Sequence, residues 1–260
     1  MTHSFDLTKR VIAITGGYGH LGKSIVECLL RHGATVWVLG RDQNKHTKAF
    51  AKIESGAERL FFQHCDISET SSIKEAFESV FQQSKKLDVI INNAFYTSGN
   101  RSVSLNDEDW NTAIDGTLSS VFRCIRETIP YLRNSECARI INVASTHGMM
   151  ATDLDVYSDI HGTFKPPDYG VAKAGVIQIT KYYASYLGKE GITVNTVTPG
   201  PFPADRIQKN RAFVEKLQEK TLLNRIGKPE EIGGVFVFLA SEASSYITGQ
   251  NIVVDGGFSI

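Results

Sequence analysis

The chain has 260 residues, with 28 basic and 28 acidic side chains and therefore no formal net charge. Such a balance carries no global field toward nucleic acid or an anionic membrane surface, and neither is expected as a partner. With 42% hydrophobic residues, 22 glycines and 7 prolines the chain can bury a full core, which excludes disorder and collagen-like repeats.

Apolar, β-branched runs at residues 11–15, 35–39, 60–63, 89–92, 140–144, 193–197 and 252–255 read as seven strands. Between them lie amphipathic segments at 21–33, 71–85, 108–132, 171–188 and 229–240, each long enough to cross over between parallel strands. Continuously apolar strands belong to a parallel sheet covered on both faces. The expected fold is α/β: a Rossmann-type, doubly wound sheet of about seven parallel strands with helices on both faces. No linker or repeat divides residues 1–260, so one domain is expected, with its ligands at the carboxyl ends of the strands.

No stretch approaches the 18 apolar residues of a membrane span, and the first ten residues lack the apolar run of a secretory signal. Cys28, Cys65, Cys124 and Cys137 show neither CxxC nor metal-ligand spacing. They are read as free thiols of a reducing, cytoplasmic compartment, and no metal site is expected.

The first strand runs into Gly16-Gly17-Tyr18-Gly19-His20-Leu21-Gly22, after which a helix begins. Gly17, Gly19 and Gly22 form GxGxxG between a strand and a helix, the context in which glycines let the backbone approach a pyrophosphate at a helix N-terminus. Gly19 is assigned the flexible position of the turn. At the tip of the second strand Gly40 stands where a carboxylate would take the ribose 2′-hydroxyl of NAD, and Arg41 follows, able to pair with a 2′-phosphate. NADP is favoured over NAD, although Asp42 could turn inward and serve NAD.

Tyr169 and Lys173 are four apart on one helical face, where an ammonium favours the phenolate and lowers the tyrosine pKa. Tyr157 is a rival, but four residues on stands His161, so the tyrosine–lysine pair selects Tyr169.

With Asp66-Ile67 after Cys65, Asn92-Asn93-Ala94, Ser145, Asn195 through Pro199-Gly200, and the run 246–257, these pieces make the whole chain resemble the short-chain dehydrogenase/reductase family. The resemblance implies that residues 16–22 cradle the pyrophosphate and that Asp66 and Ile67 contact the adenine. Asn93 and Ala94 would line the cleft, with Pro199, Gly200 and Phe202 at the nicotinamide end. Tyr169 would be the general acid/base, Lys173 would hold the ribose, and Ser145 would hydrogen-bond the substrate carbonyl. It further implies a homotetramer or homodimer, built through segments 108–132 and 171–188, with 256–260 reaching a neighbouring subunit.

Four departures from the family pattern stand out. His20 replaces a glycine of the usual turn, and Phe95 follows Asn92-Asn93-Ala94 where glycine is usual. Thr117 falls at the position of the catalytic asparagine, a shorter side chain whose hydroxyl can bond back to its own helix. Ser145 and Tyr169 are 24 positions apart, so 146–168 is expected to hold an insertion over the substrate, with Met149, Met150, Tyr157 and Phe164 as apolar candidates. Its aspartates, Asp153, Asp155, Asp159 and Asp168, face the single Lys165 and are weighed as a solvated loop.

The activity expected is reversible hydride transfer between a nicotinamide and a ketone or secondary alcohol, on a polar small molecule such as a sugar or polyol derivative. The alternatives are a 3-oxoacyl-(acyl-carrier-protein) reductase, against which the aspartate-rich loop would repel an acidic carrier, and a cofactor-binding sensor with little turnover.

Overall fold

The computed structural model describes residues 4–100, 102, 104–157 and 165–260. Its sheet has seven strands in the order β3-β2-β1-β4-β5-β6-β7, all paired in parallel. The strands are β1 (Val11–Thr15), β2 (Thr35–Gly40), β3 (Leu60–His64), β4 (Val89–Asn92), β5 (Arg139–Val143), β6 (Thr193–Pro199) and β7 (Asn251–Val254). The order reverses direction between β1 and β4, which opens the crevice where ligands bind in doubly wound sheets.

Strand alternation divides the core into two layers. Val11 and Ala13 of β1 join one apolar cluster with Ile73 and Phe77, Ile125, and Val176. Ile12 and Ile14 point the other way, toward Ile25, Leu29 and Phe236. These partners identify the covering helices: α3 (Thr70–Ser84), α5 (Ser120–Leu132) and α7 (Pro167–Leu187) on one face, α1 (His20–Arg31) and α10 (Gly233–Ala240) on the other.

The expected helix over 108–132 is two helices, α4 (Asp107–Ile114) and α5, joined by a π-turn at Asp115–Ser119. Gly116 explains the break: a Cβ there would lie 2.2 Å from the Tyr96 carbonyl oxygen, so the helix runs against the loop after β4. Four α-helices among the described residues were outside the expected set. One is α2 (Gln43–Ala49), begun by the Asp42 carboxylate accepting the Lys45 N–H. The others are α6 (Leu154–Tyr157), α8 (Asp205–Gln208) and α9 (Arg211–Glu219), while the segment expected at 229–240 begins as a 3-10 turn, Pro229–Ile232, before α10. No helix among the described residues is long and apolar enough to cross a membrane. The four cysteines carry free thiols.

Candidate active site

A cavity of about 580 Å³ runs along the carboxyl ends of the strands. Of the residues given a catalytic or cofactor-binding role from the sequence, all but Gly17 and Thr117 lie on its wall. Gly17 packs instead beneath the turn, where a Cβ would meet Ile14, Val26 and Val38 at 3.0–3.1 Å.

The glycine turn is shaped by two positions. Gly16 has φ +64°, a left-handed conformation that favours glycine, and a Cβ on Gly22 would lie 2.5 Å from the Gly16 carbonyl. The flexible position is thus Gly16 and not Gly19, which has φ −74° and serves as the N-cap of α1. Below the turn, Asn93 Nδ2 donates to the Thr15 and Gly16 carbonyls at 3.0 and 3.1 Å. Thr15 Oγ1 in return accepts the N–H groups of Asn93 and Ala94, both at 3.0 Å. This stitching holds the tips of β1 and β4 together and leaves the amides of the first turn of α1 at the cavity. The glycines, the free amides and the absence of acidic residues in that first turn fit a pyrophosphate.

At the far end Asp66 accepts the Ser68 N–H at 2.9 Å and faces Arg41 at 3.8 Å. Asp42 is committed to capping α2, which removes it as an inward-turned acid for NAD. A network that sequence reasoning missed ties this end to the π-turn: Arg123 donates to Asp115 at 2.7 Å and to the Ile67 carbonyl at 3.0 Å, while Tyr96 donates to the same Asp115. His20 bridges the cleft through a hydrogen bond with the Phe202 carbonyl at 3.1 Å.

The reaction end lies where β5 meets α7. Tyr169 and Lys173 leave the first turns of α7 on one face, and Ser145 follows β5 beside Tyr169, its hydroxyl favouring the phenolate. Lys173 Nζ donates to the Val143 carbonyl at 2.7 Å and lies 5.8 Å from the Tyr169 ring centre and 5.2 Å from that of Phe95. The Phe95 ring, 5.5 Å from Tyr169, covers the pair from the side.

The ammonium does not lower the phenol as the spacing alone implied. Burial dominates, pushing Tyr169 up to about 12 against the pull of Ser145, and pulling Lys173 down to about 7 with help from the charge of Lys165. Thr117 is fully buried in the π-turn, and its Oγ1 has no hydrogen-bond partner among the described residues.

The described part of 146–168 does border the cavity, through His147, Tyr157 and Lys165. Tyr157 packs with its ring tilted 51° against Phe213 of α9, centres 5.4 Å apart, and Lys165 Nζ stands 4.7 Å from the Tyr169 ring centre. Met149 is exposed and touches Asn251 Nδ2 with its sulfur. Of the acids weighed as a solvated loop, Asp155 is exposed, but two others are engaged. Asp153 pairs with Lys220 at 2.8 Å, and Asp168 is buried, its Oδ1 accepting the Tyr169 N–H at 2.6 Å. Phe164, Asp159 and His161 lie outside the described residues. Asn195, quoted for the resemblance, works as a tie: it donates to the Ile247 carbonyl at 2.8 Å and accepts the Gln250 N–H, seating β7. Phe213, Leu217 and Phe258 also line the cavity and were missed in the sequence, where the i, i+4 spacing of Phe213 and Leu217 was the available signal.

Fold and cleft together define an NAD(P)-dependent oxidoreductase. A family model described as enoyl-(acyl carrier protein) reductase matches residues 19–259, and the chain belongs to the short-chain dehydrogenase/reductase family. It is 34% identical, over 98% of this chain and 99% of the relative, to the 3-oxoacyl-(acyl-carrier-protein) reductase FabG of Thermotoga maritima. Among solved structures it resembles a short-chain dehydrogenase from Leptospira borgpetersenii with bound NAD+, at TM-score 0.86 and 31% identity, covering 99% and 95% of the two chains. It also resembles the Pseudomonas aeruginosa RhlG/NADP active-site complex, at TM-score 0.88, 28% identity and full coverage of both chains.

Proposed function

We propose that this enzyme is an NADPH-preferring reductase of a 3-oxoacyl thioester, the alternative of the sequence reading, in place of a sugar or polyol enzyme. The observation that carries this is the substrate side of the cavity. Phe95, Tyr157, Ile207, Phe213, Leu217 and Phe258 wall it, giving an acyl chain apolar contact and a polyol few partners. The pairing of Asp153 and the burial of Asp168 lessen the repulsion that argued against an acidic carrier. The FabG names of the relatives point the same way.

When bound, the nicotinamide supplies the hydride that reaches the carbonyl carbon. The rest falls to this chain. Tyr169, with its phenol held up to about 12, keeps its proton on Oη at neutral pH and can donate it to the forming alkoxide. Ser145 orients that oxygen by a hydrogen bond. Lys173, about 7 when buried alone, is poised to take a proton and to hold ribose hydroxyls. Residues 16–22 with Asn93 and Ala94 hold the phosphates and the cleft wall, Asp66 and Ile67 the adenine, and Pro199, Gly200 and Phe202 the nicotinamide end. Arg41 faces the 2′-phosphate.

The enzyme assembles as a homodimer or homotetramer in this reading. Val121, Ile125, Val176, Tyr183 and Leu187 are core, while Phe122, Val171, Tyr182 and Tyr186 leave an exposed apolar strip on α5 and α7.

A panel of 3-oxoacyl thioesters of increasing chain length against keto-sugars tests the substrate. With NADPH, kcat/KM should rise with chain length and exceed that for the sugars at least a hundredfold. The reverse order would return the assignment to a polar substrate.

A further inference from the structure

Gly40 occupies the place of the acid that takes a ribose 2′-hydroxyl, and the structure gives the reason for a glycine there. A Cβ at Gly40 would lie 2.5 Å from Tyr18 Cε1 and 2.6 Å from Tyr18 Oη, so the tyrosine ring fills the space a side chain at 40 would need. That ring is pinned. Its Oη accepts the N–H groups of Arg41 at 3.1 Å and Asp42 at 3.3 Å. Two incoming N–H groups use both lone pairs of a phenol oxygen, so what Tyr18 has left to offer is its own hydrogen. The ring stands on the cavity wall beside Arg41, whose side chain is 70% exposed and reaches Asp66 at 3.8 Å. The nearest acid on the same loop, Asp42, is turned away to cap α2.

We propose that Tyr18 sets the cofactor choice of this enzyme. Its ring excludes a carboxylate at position 40, and its hydroxyl donates to the 2′-phosphate next to Arg41. Tyr18 and Gly40 are therefore one device: an acid at 40 can serve NAD only when the ring at 18 is gone. This rests on the NADP preference proposed above.

The test uses binding to the purified protein by calorimetry, with 2′,5′-ADP and 5′-AMP as probes that differ only in the 2′-phosphate, and NAD+ as the whole cofactor. Wild type should bind 2′,5′-ADP at least tenfold more tightly than 5′-AMP. Equal binding of the two by wild type would defeat the NADP preference itself, and the role of Tyr18 with it. Given that preference, Tyr18→Phe should weaken 2′,5′-ADP five- to tenfold and leave 5′-AMP within twofold. Equal losses for both probes would reduce the hydroxyl to a brace for the β2 tip and overturn its role in selection. Gly40→Asp alone should bind NAD+ poorly, and the double variant Tyr18→Ser/Gly40→Asp should bind it at least tenfold better than that single. A folded Gly40→Asp protein, checked by circular dichroism, that binds NAD+ as well as the double variant would overturn the exclusion.

Discussion

At the adenosine end of the cleft, most polar groups are matched; Arg123 Nε, buried without a partner among the described residues, is an exception. Asn93 satisfies two carbonyls, Thr15 two amides, Tyr18 two more, and Asp115 is shared between Arg123 and Tyr96. At the reaction end the same kinds of group are left in want. Lys173 is buried with one neutral carbonyl for company, Thr117 Oγ1 and Asp168 Oδ2 are buried without partners among the described residues, and the Tyr169 phenol is pushed up by burial. One end is a rigid socket whose hydrogen bonds stabilise the fold. The other holds groups in states that folding alone disfavours, which is where a catalyst needs reactivity that substrate and cofactor can complete.

The contrast breaks most visibly if Tyr169 is dispensable. Tyr169→Phe keeps the ring and removes the proton, so kcat should fall roughly a thousandfold while cofactor affinity stays within about threefold. Turnover within tenfold of wild type would place the acid elsewhere.

Lys173→Met should also abolish turnover, yet raise stability. Burial lowers the folded-state pKa to about 7 from 10.5. Between those values the unfolded chain binds a proton that the native protein does not, so wild-type stability rises with pH across this window. The burden of the buried amine is thus fully present below pH 7 and fades toward 10.5. Methionine should stabilise by roughly 2–4 kcal/mol at pH 6, after allowing for the lost hydrogen bond to Val143, and by little at pH 10. Denaturant titrations of both proteins at the two pH values measure it, and a gain that does not shrink with pH would show that Lys173 is not buried neutral.

Asn93→Ala should behave in the opposite sense. It takes a donor from the Thr15 carbonyl and one of two from the Gly16 carbonyl, which keeps the Gly19 N–H, so stability should fall by about 1–3 kcal/mol and cofactor affinity with it. A stable variant with unchanged binding would show that the socket does not depend on this stitch.

The difference between the ends also governs what the sequence made legible. Strands β1, β2, β4 and β5 announced themselves because both faces of each are covered and their residues are mostly apolar, whereas the edge strands β3 and β7 are half-buried and showed as shorter runs. The glycine turn and the Tyr169–Lys173 pair carry fixed spacings. By contrast α2 buries no residue and shows no periodicity, and α9 buries just Phe213 and Leu217. The π-turn adds its residue without changing composition. The pairing of Tyr18 with Gly40 joins positions 22 apart through contact that no local pattern encodes. Burial was the main thing the sequence hid: Asp168 reads as one more loop acid until α7 turns it inward.

The smallest effect belongs to Asp168, and it asks whether want at the reaction end extends to a group that no step of the chemistry uses. Burial raises its pKa, opposed by the hydrogen bond from the Tyr169 N–H and reinforced by the charge of Asp109. An acid with a raised folded-state pKa stabilises fully below its unfolded value, and that contribution is lost as pH rises through the folded value. Relative to wild type, Asp168→Asn should therefore gain stability as the pH is raised from 4 to 8, since asparagine has no charge to bury. Its amide oxygen can keep the bond to Tyr169, but its NH2 inherits the unpartnered site of Oδ2, which limits the gain to about 1 kcal/mol at pH 8. Thermal melts of the two proteins across that range decide it. A difference that is flat with pH, or that favours wild type more at pH 8, would mean that Asp168 is ionised and stabilised by groups at the head of α7, and that the acid belongs with the matched groups of the socket.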